Sequence, residues 1–295
     1  MTPPLMSPLA FRIVNVFAET PLAGNPLAVF EDARGIDDAA MQALALQFNL
    51  SETTFVLPSG RATARVRIFT PAYEMPFAGH PTLGTAHVVR ALNGPGDSVT
   101  LEMIAGIIPV DARGDTWTLQ ANPPRTRPVE TSRAELAAML ALPETDVAPD
   151  PAAPPLWVNT GVEQLVIPLA SADAIRRAAP RSDLLLRHGR TGDRAMAYVF
   201  APASDRPAAP GNGAMVVRFF FSKQSSVVED PGTGSACANL GGFLLATGAR
   251  LPQSLSIAQG DAVGRPCRMG LEIGADRSIR VSGRVIELIR GTVTL

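Results

Sequence analysis

A few residues of this 295-residue sequence have chemistry to offer in places where their neighbours have none. Glu52 stands in "NLSETTFVLP", directly before an apolar, strand-like run. A carboxyl group there is partly desolvated, and desolvation moves it toward a pKa at which it both accepts and returns a proton. Read alone, the same glutamate is equally a surface charge. In "PFAGHPTLGTAHVV", Gly79 and His80 precede a run with almost no charge, and Pro81 suits the first turn of a helix. Unpaired backbone N–H groups and the positive end of the helix dipole point outward at such a start, which suits a carboxylate or an oxyanion. Gly234 and Ser235, in "VVEDPGTGSACANLGG", open a second apolar helix in the same way, with Asp230 shortly before them. Asp230 reads either as a dipole partner of that helix or as a partner that sets the tautomer of His80.

Other chemistries find less support. Ser235, His80 and Asp230 are the residue types of a nucleophilic triad, but "GTGSA" is not the G-x-S-x-G elbow. Lys223, the sole lysine, has no matched partner for Schiff-base work. His87 reads as a hydrogen-bonded core histidine and His188 as a loop residue. Three scattered histidines and two cysteines, Cys237 and Cys267, form no metal spacing, so no metal is expected. The segment "GTGSACANLGG" has Cys237 where a dinucleotide loop needs its third glycine, and no G-K-[ST] occurs. With 26 basic and 27 acidic residues, and no basic stripe, a nucleic acid is a poor partner. The start lacks a secretory pattern and no apolar run approaches 18 residues, so a soluble cytoplasmic protein is expected.

The elements that must position these residues repeat. "VRIFTP" from Val66 lies over "VRFFFS" from Val217, and "AGHPTLGTAHVV" lies over "TGSACANLGGFLLA". Upstream, Gly24–Pro58 and Gly161–Pro202 both run strand, helix, strand, and Glu52 aligns near Met196. Each half reads as short strands around one helix of about 12 to 15 residues, too short for a bilayer and too apolar for a surface, so sheet must wrap it. The boundary is placed near residue 122, giving halves 1–121 and 122–295. Proline clusters in 121–157 read as linker, with "SRAE" at Ser132–Glu135 as a capping box for a short helix ending before Pro143. The tail "SIRVSGRVIELIRGTVTL" alternates like a strand pair that can close either half.

Five segments, "GNPLAVF", "LSETTFV", "RIFTPAYEMPFAGHPTLGTA", "EDPGTGSACANLGGFL" and "QGDAVGRP", occur in this order over almost the whole chain. Together they resemble the PhzF-like isomerases of phenazine biosynthesis. The resemblance implies an α+β fold of two pseudo-symmetric, diaminopimelate epimerase-like domains. Each is a curved, mostly antiparallel sheet around a central apolar helix, with the site in the cleft between them. It implies that Glu52 shuttles a proton between carbons of a small carboxylated substrate such as a cyclic diene. His80 and Asp230 are then polar partners, Gly79, Gly234 and Ser235 hold substrate, and Asn25 lines the cleft. It further implies no cofactor and a homodimer. Related epimerases carry paired cysteines where this chain has Ala78 and Thr233, so a two-thiol mechanism is not expected. A small-molecule binding protein without catalysis is the reading from another class.

Overall fold

The computed structural model describes residues 8–94, 96–148, 150–204, 212–223 and 226–295. They form two compact units, Met1–Leu119 with Ser282–Leu295, and Gln120–Val281. In chain order the first part holds β1 (Leu9–Val16), β2 (Asn25–Phe30), α1 (Asp38–Phe48), β3 (Glu52–Leu57), β4 (Ala64–Phe69), β5 (Glu74–Met75), α2 (Gly79–Asn93), β6 (Ser98–Met103), β7 (Gly106–Arg113) and β8 (Thr116–Gln120). There follow β9 (Arg125–Pro128), α3 (Arg133–Leu140), β10 (Leu156–Asn159), β11 (Glu163–Pro168), α4 (Ala172–Arg177), α5 (Ser182–His188), β12 (Arg190–Thr191), β13 (Arg194–Pro202), β14 (Asn212–Lys223), β15 (Ser226–Asp230), α6 (Gly234–Ala246), β16 (Gln253–Gln259), β17 (Cys267–Ile273) and β18 (Ile279–Val293). The mixture of sheet and helix is of the α+β class. Among the described residues no helix is long and apolar enough to cross a membrane.

In the first unit the ladder runs β18–β1–β2–β3–β4–β6–β7–β8 and returns to β18. From β18 through to β8 the successive pairs are antiparallel except β2 with β3 and β4 with β6. Each parallel pair needs a crossover, and the chain supplies α1 for one and α2 for the other. The two helices take opposite sides of the strands. α2 packs on β1, β2, β3, β4, β6 and β7, and nearly its whole first three turns are buried. α1 lies on the outer face, where Met41, Leu44 and Ala45 join Phe30, Phe55 and Phe69. Alternation along β3 serves both layers: Phe55 faces α1, while Thr54 turns inward and its hydroxyl meets that of Thr85 on α2 at 2.8 Å.

The second unit repeats this wiring. β10–β11–β13–β14–β16–β17 are joined by antiparallel pairs except β11 with β13 and β14 with β16, crossed by α4–α5 and by α6. α6 packs on β9, β10, β11 and β17, with Cys237, Asn239, Leu240 and Phe243 buried. A shared device fixes the register. Arg67 lies over the Phe69 ring and pairs with Glu74, and Arg218 lies over the Phe220 ring and pairs with Glu229. Phe69 is opposite Thr53, and Phe220 is opposite Ala197. By this count Glu52 corresponds to Met196.

Three segments differ from their sequence reading. The proline-rich stretch is not a linker, because α3 lays Leu136, Ala137, Met139 and Leu140 into the core of the second unit together with Val147 and Trp157. Its start is the expected capping box, with Ser132 and Glu135 bonded reciprocally. The tail is one continuous strand, β18, whose residues from Ser282 onward belong to the first unit. Its internal glycines make no turn. A Cβ at Gly283 would lie 2.3 Å from the Phe17 ring and one at Gly291 2.8 Å from the Phe11 ring, so both leave room for aromatic faces. His188 ends α5 and is not in a loop.

Candidate active site

The inward face of β3 carries Glu52 as well as Thr54. From the Thr54–Thr85 contact, two residues back along the strand is roughly 6.6 Å, and five back along the helix is about 7.5 Å. The first residue of β3 and the start of α2 must therefore meet. They do: Glu52 Oε2 lies 3.5 Å from His80 Nε2, with the carboxyl side chain 16% exposed and the imidazole 6%. On its other side the ring has Asn25 Nδ2 3.5 Å from Nδ1, and a hydrogen bond to the backbone of Pro26. Asn25 and Pro26 open β2, the parallel neighbour of β3. Asn25, Glu52, Gly79 and His80 thus gather at one end of the first unit.

Burial pushes His80 down to about 3, against which the Pro26 hydrogen bond is the smaller effect. Burial thus favours the neutral ring, so the Glu52–His80 contact, though within ion-pair distance, does not require a charged imidazole. His87 is hydrogen-bonded as expected, accepting from Trp117 Nε1 at 3.2 Å, but it is only half-buried and outside the core; burial lowers it too.

In the second unit Asp230 ends β15 and takes a hydrogen bond from the Thr233 hydroxyl. Gln259, which ends β16, donates to the Asp230 carbonyl at 2.8 Å and to Thr233 Oγ1 at 3.0 Å. Gly234 is the first residue of α6, and the hydroxyl oxygen of Ser235 accepts from Gln164 Nε2 at 3.1 Å. Gln164 in turn accepts from Asn239, which itself accepts from the N–H and hydroxyl of Thr160 at 2.9 and 2.7 Å. Cys237, two residues on from Ser235, is buried, and burial pushes its thiol far above the range in which a thiolate forms at pH 7.

Both central helices start without a side-chain cap. The N-cap of α2 is Ala78, and the N-cap of α6 is Thr233, whose hydroxyl goes to Asp230. By contrast α1, α3 and α4 are capped by Asp37, Ser132 and Ser171. α5 is also uncapped by a side chain, but it is a short peripheral helix with one buried residue, whereas the uncapped starts of α2 and α6 are buried and leave their first N–H groups without a side-chain partner. Sequence reasoning misses Gln164, Asn239 and Gln259, and sees in Thr233 only the absence of a thiol. The available signal was an amide inside each of the apolar runs "EQLVIP", "CANLGGF" and "SIAQG", since a buried amide needs built partners.

The model of the family described as phenazine biosynthesis-like protein matches residues 14–291. The chain belongs to that family. A Pasteurella multocida member, described as an uncharacterized isomerase, is 39% identical over 96% of this chain and 93% of its own. The trans-2,3-dihydro-3-hydroxyanthranilate isomerase of Pseudomonas fluorescens is 34% identical over 97% of this chain and 99% of its own. Among solved structures, a PhzF-family phenazine biosynthesis protein of Bacillus anthracis superposes with a TM-score of 0.85, at 24% identity, covering 98% of this chain and all of that one. That likeness speaks for the fold; the sequence relatives make this family member an isomerase.

Proposed function

We propose that this family member moves a proton between two carbons of a small carboxylated substrate, with Glu52 as the single acid/base and no cofactor. Glu52 carboxylate accepts the proton from one carbon, the released electron pair shifts along the conjugated system, and the same carboxyl group returns the proton to another carbon. Nothing is oxidised or reduced. One observation carries the reading: a largely buried glutamate beside an uncapped helix start, 3.5 Å from a histidine whose burial disfavours its charged form. A cation in that position would pin the carboxylate as half of an ion pair, whereas a neutral ring orients it and leaves it free to be protonated.

In this reading each unit is a diaminopimelate epimerase-like domain, a curved sheet around its central helix, and offers polar groups to a small carboxylated substrate. The backbone N–H groups of Gly79, Gly234 and Ser235 hold its carboxylate, Asn25 lines the site, and His80 and Asp230 are the supporting polar groups. The protein is a cytoplasmic homodimer, a location in keeping with two buried free cysteines. A cyclic diene such as trans-2,3-dihydro-3-hydroxyanthranilate, named for the Pseudomonas fluorescens relative, is the first probe. In deuterium oxide the product should carry solvent deuterium at carbon. Saturable binding of the probe with neither product nor label would make the chain a binding protein instead.

A further inference from the structure

The turn from Asp230 to Thr233, between β15 and α6, is held from one side by the end of β16. Gln259 is 1% exposed. Its Nε2 donates to the Asp230 carbonyl at 2.8 Å and to the Thr233 hydroxyl at 3.0 Å, and its Oε1 accepts from the Thr233 N–H at 3.3 Å. Two of these partners are backbone groups of fixed polarity, so only one orientation of the amide satisfies all three. With its oxygen already receiving a proton from Gln259, the Thr233 hydroxyl has its own proton to give, and it gives it to the Asp230 carboxylate. Thr233 is the N-cap of α6, where a threonine ordinarily accepts from the N–H groups of the helix; here it makes no such bond. The backbone reinforces the contact. Gly260, which follows, has φ of 82°, and a Cβ there would lie 2.4 Å from the Pro231 carbonyl oxygen and 2.3 Å from that of Arg265.

We propose that Gln259 is a positioning residue: its amide turns the Thr233 hydroxyl onto Asp230 and away from the start of α6. The carboxylate is thereby fixed, and the first N–H groups of the helix are left for a ligand. A threonine without that amide has no reason to choose the carboxylate over its own helix, since both bonds lie within reach of one rotation about χ1. The catalytic half of this inference rests on the reading of Asp230 as a substrate-facing group, whereas the hydrogen-bond relay does not.

The test uses the full chain labelled with carboxyl-13C aspartate, the Asp230 resonance being assigned by its loss in Asp230→Asn. Gln259→Leu and Thr233→Val should each move that resonance in the same direction, the double variant should move it no further, and Thr233→Ser should hold it at the wild-type position. If Gln259→Leu fails to fold, Gln259→Glu, which is nearly isosteric and turns the donor into an acceptor, takes its place. With trans-2,3-dihydro-3-hydroxyanthranilate, each single variant should lose about tenfold to a hundredfold in kcat. KM should stay within about twofold and the double variant should lose no more, because the two residues act as one unit. An unmoved Asp230 resonance in both single variants, or losses that multiply in the double variant, would overturn the proposal. A wild-type protein that does not turn over the probe defeats the functional reading for that substrate, while the resonance still judges the relay.

Discussion

Glu52 and Met196 hold the same rung of two matching ladders, each one residue before the partner of an arginine-stacked phenylalanine. Asp230 and Met75 stand in the opposite relation, for Asp230 lies opposite Phe219 on β14 and Met75 lies opposite Ile68 on β4. Each unit therefore offers one acid where the other has a methionine. A scaffold built twice carries unlike groups at like places, and the helix caps Ala78 and Thr233 add no thiol. Two equivalent bases, as a two-base racemase requires, are not available at these positions. One carboxyl that gives back what it takes is the chemistry this asymmetry suits.

Glu52→Gln keeps the shape of the side chain but cannot accept the proton. Turnover should fall by about 10²- to 10⁴-fold, with binding of the probe largely retained. Isothermal titration of the variant beside its turnover separates the two quantities. Near-normal turnover would remove Glu52 from its role. Met196→Glu should not restore activity, and it places a carboxyl group at a buried position.

His80 gives the stability a pH dependence of known sign. Its ordinary value of 6.5 falls to about 3 in the folded protein, so between those values the unfolded chain binds the extra proton. The contribution of the neutral ring is complete above pH 6.5 and is lost as the pH falls toward 3, at about 1.4 kcal/mol per pH unit. Chemical denaturation of wild type and His80→Asn across this window should show the steeper acid loss in the wild type. Parallel curves would mean that the ring titrates normally.

Gly260→Ala forces a side chain into the left-handed region and against two backbone oxygens. A loss of about 2–4 kcal/mol is expected, larger than for the same change at Gly264, where a Cβ meets nothing within 4 Å. Urea midpoints of the two variants make the comparison. Equal midpoints would show that the turn gives way.

Leu136→Ala tests whether 133–148 belongs to a core. Leu136 is 1% exposed among Met139, Leu140 and Trp157, and its truncation should cost about 2–5 kcal/mol. Ser132→Ala, which removes the cap alone, should cost about 1 kcal/mol. A linker would tolerate both changes with no change in the unfolding midpoint.

Much of this protein is legible in the chain because its chemistry is local. Period and composition expose the two apolar helices, glycine with histidine or serine marks their starts, and "SRAE" specifies a cap whose partners are three residues apart. The repeat gives the common wiring, since the same strand–helix–strand order recurs. What the sequence leaves open depends on partners far along the chain. Alternation shows that residues 278–295 are strand but not whose strand, and pairing with β1 and β8 assigns most of β18 to the first unit. Proline clusters look like a linker until the apolar side of α3 finds a core to enter. A glutamate before a strand is only a charge until the fold of α2 brings His80 to 3.5 Å from it. Gln259 is one amide among many until β16 ends beside Asp230. Local bonding rules act within a few residues and can be read in order, whereas burial and long-range hydrogen bonds exist only once the layers have closed.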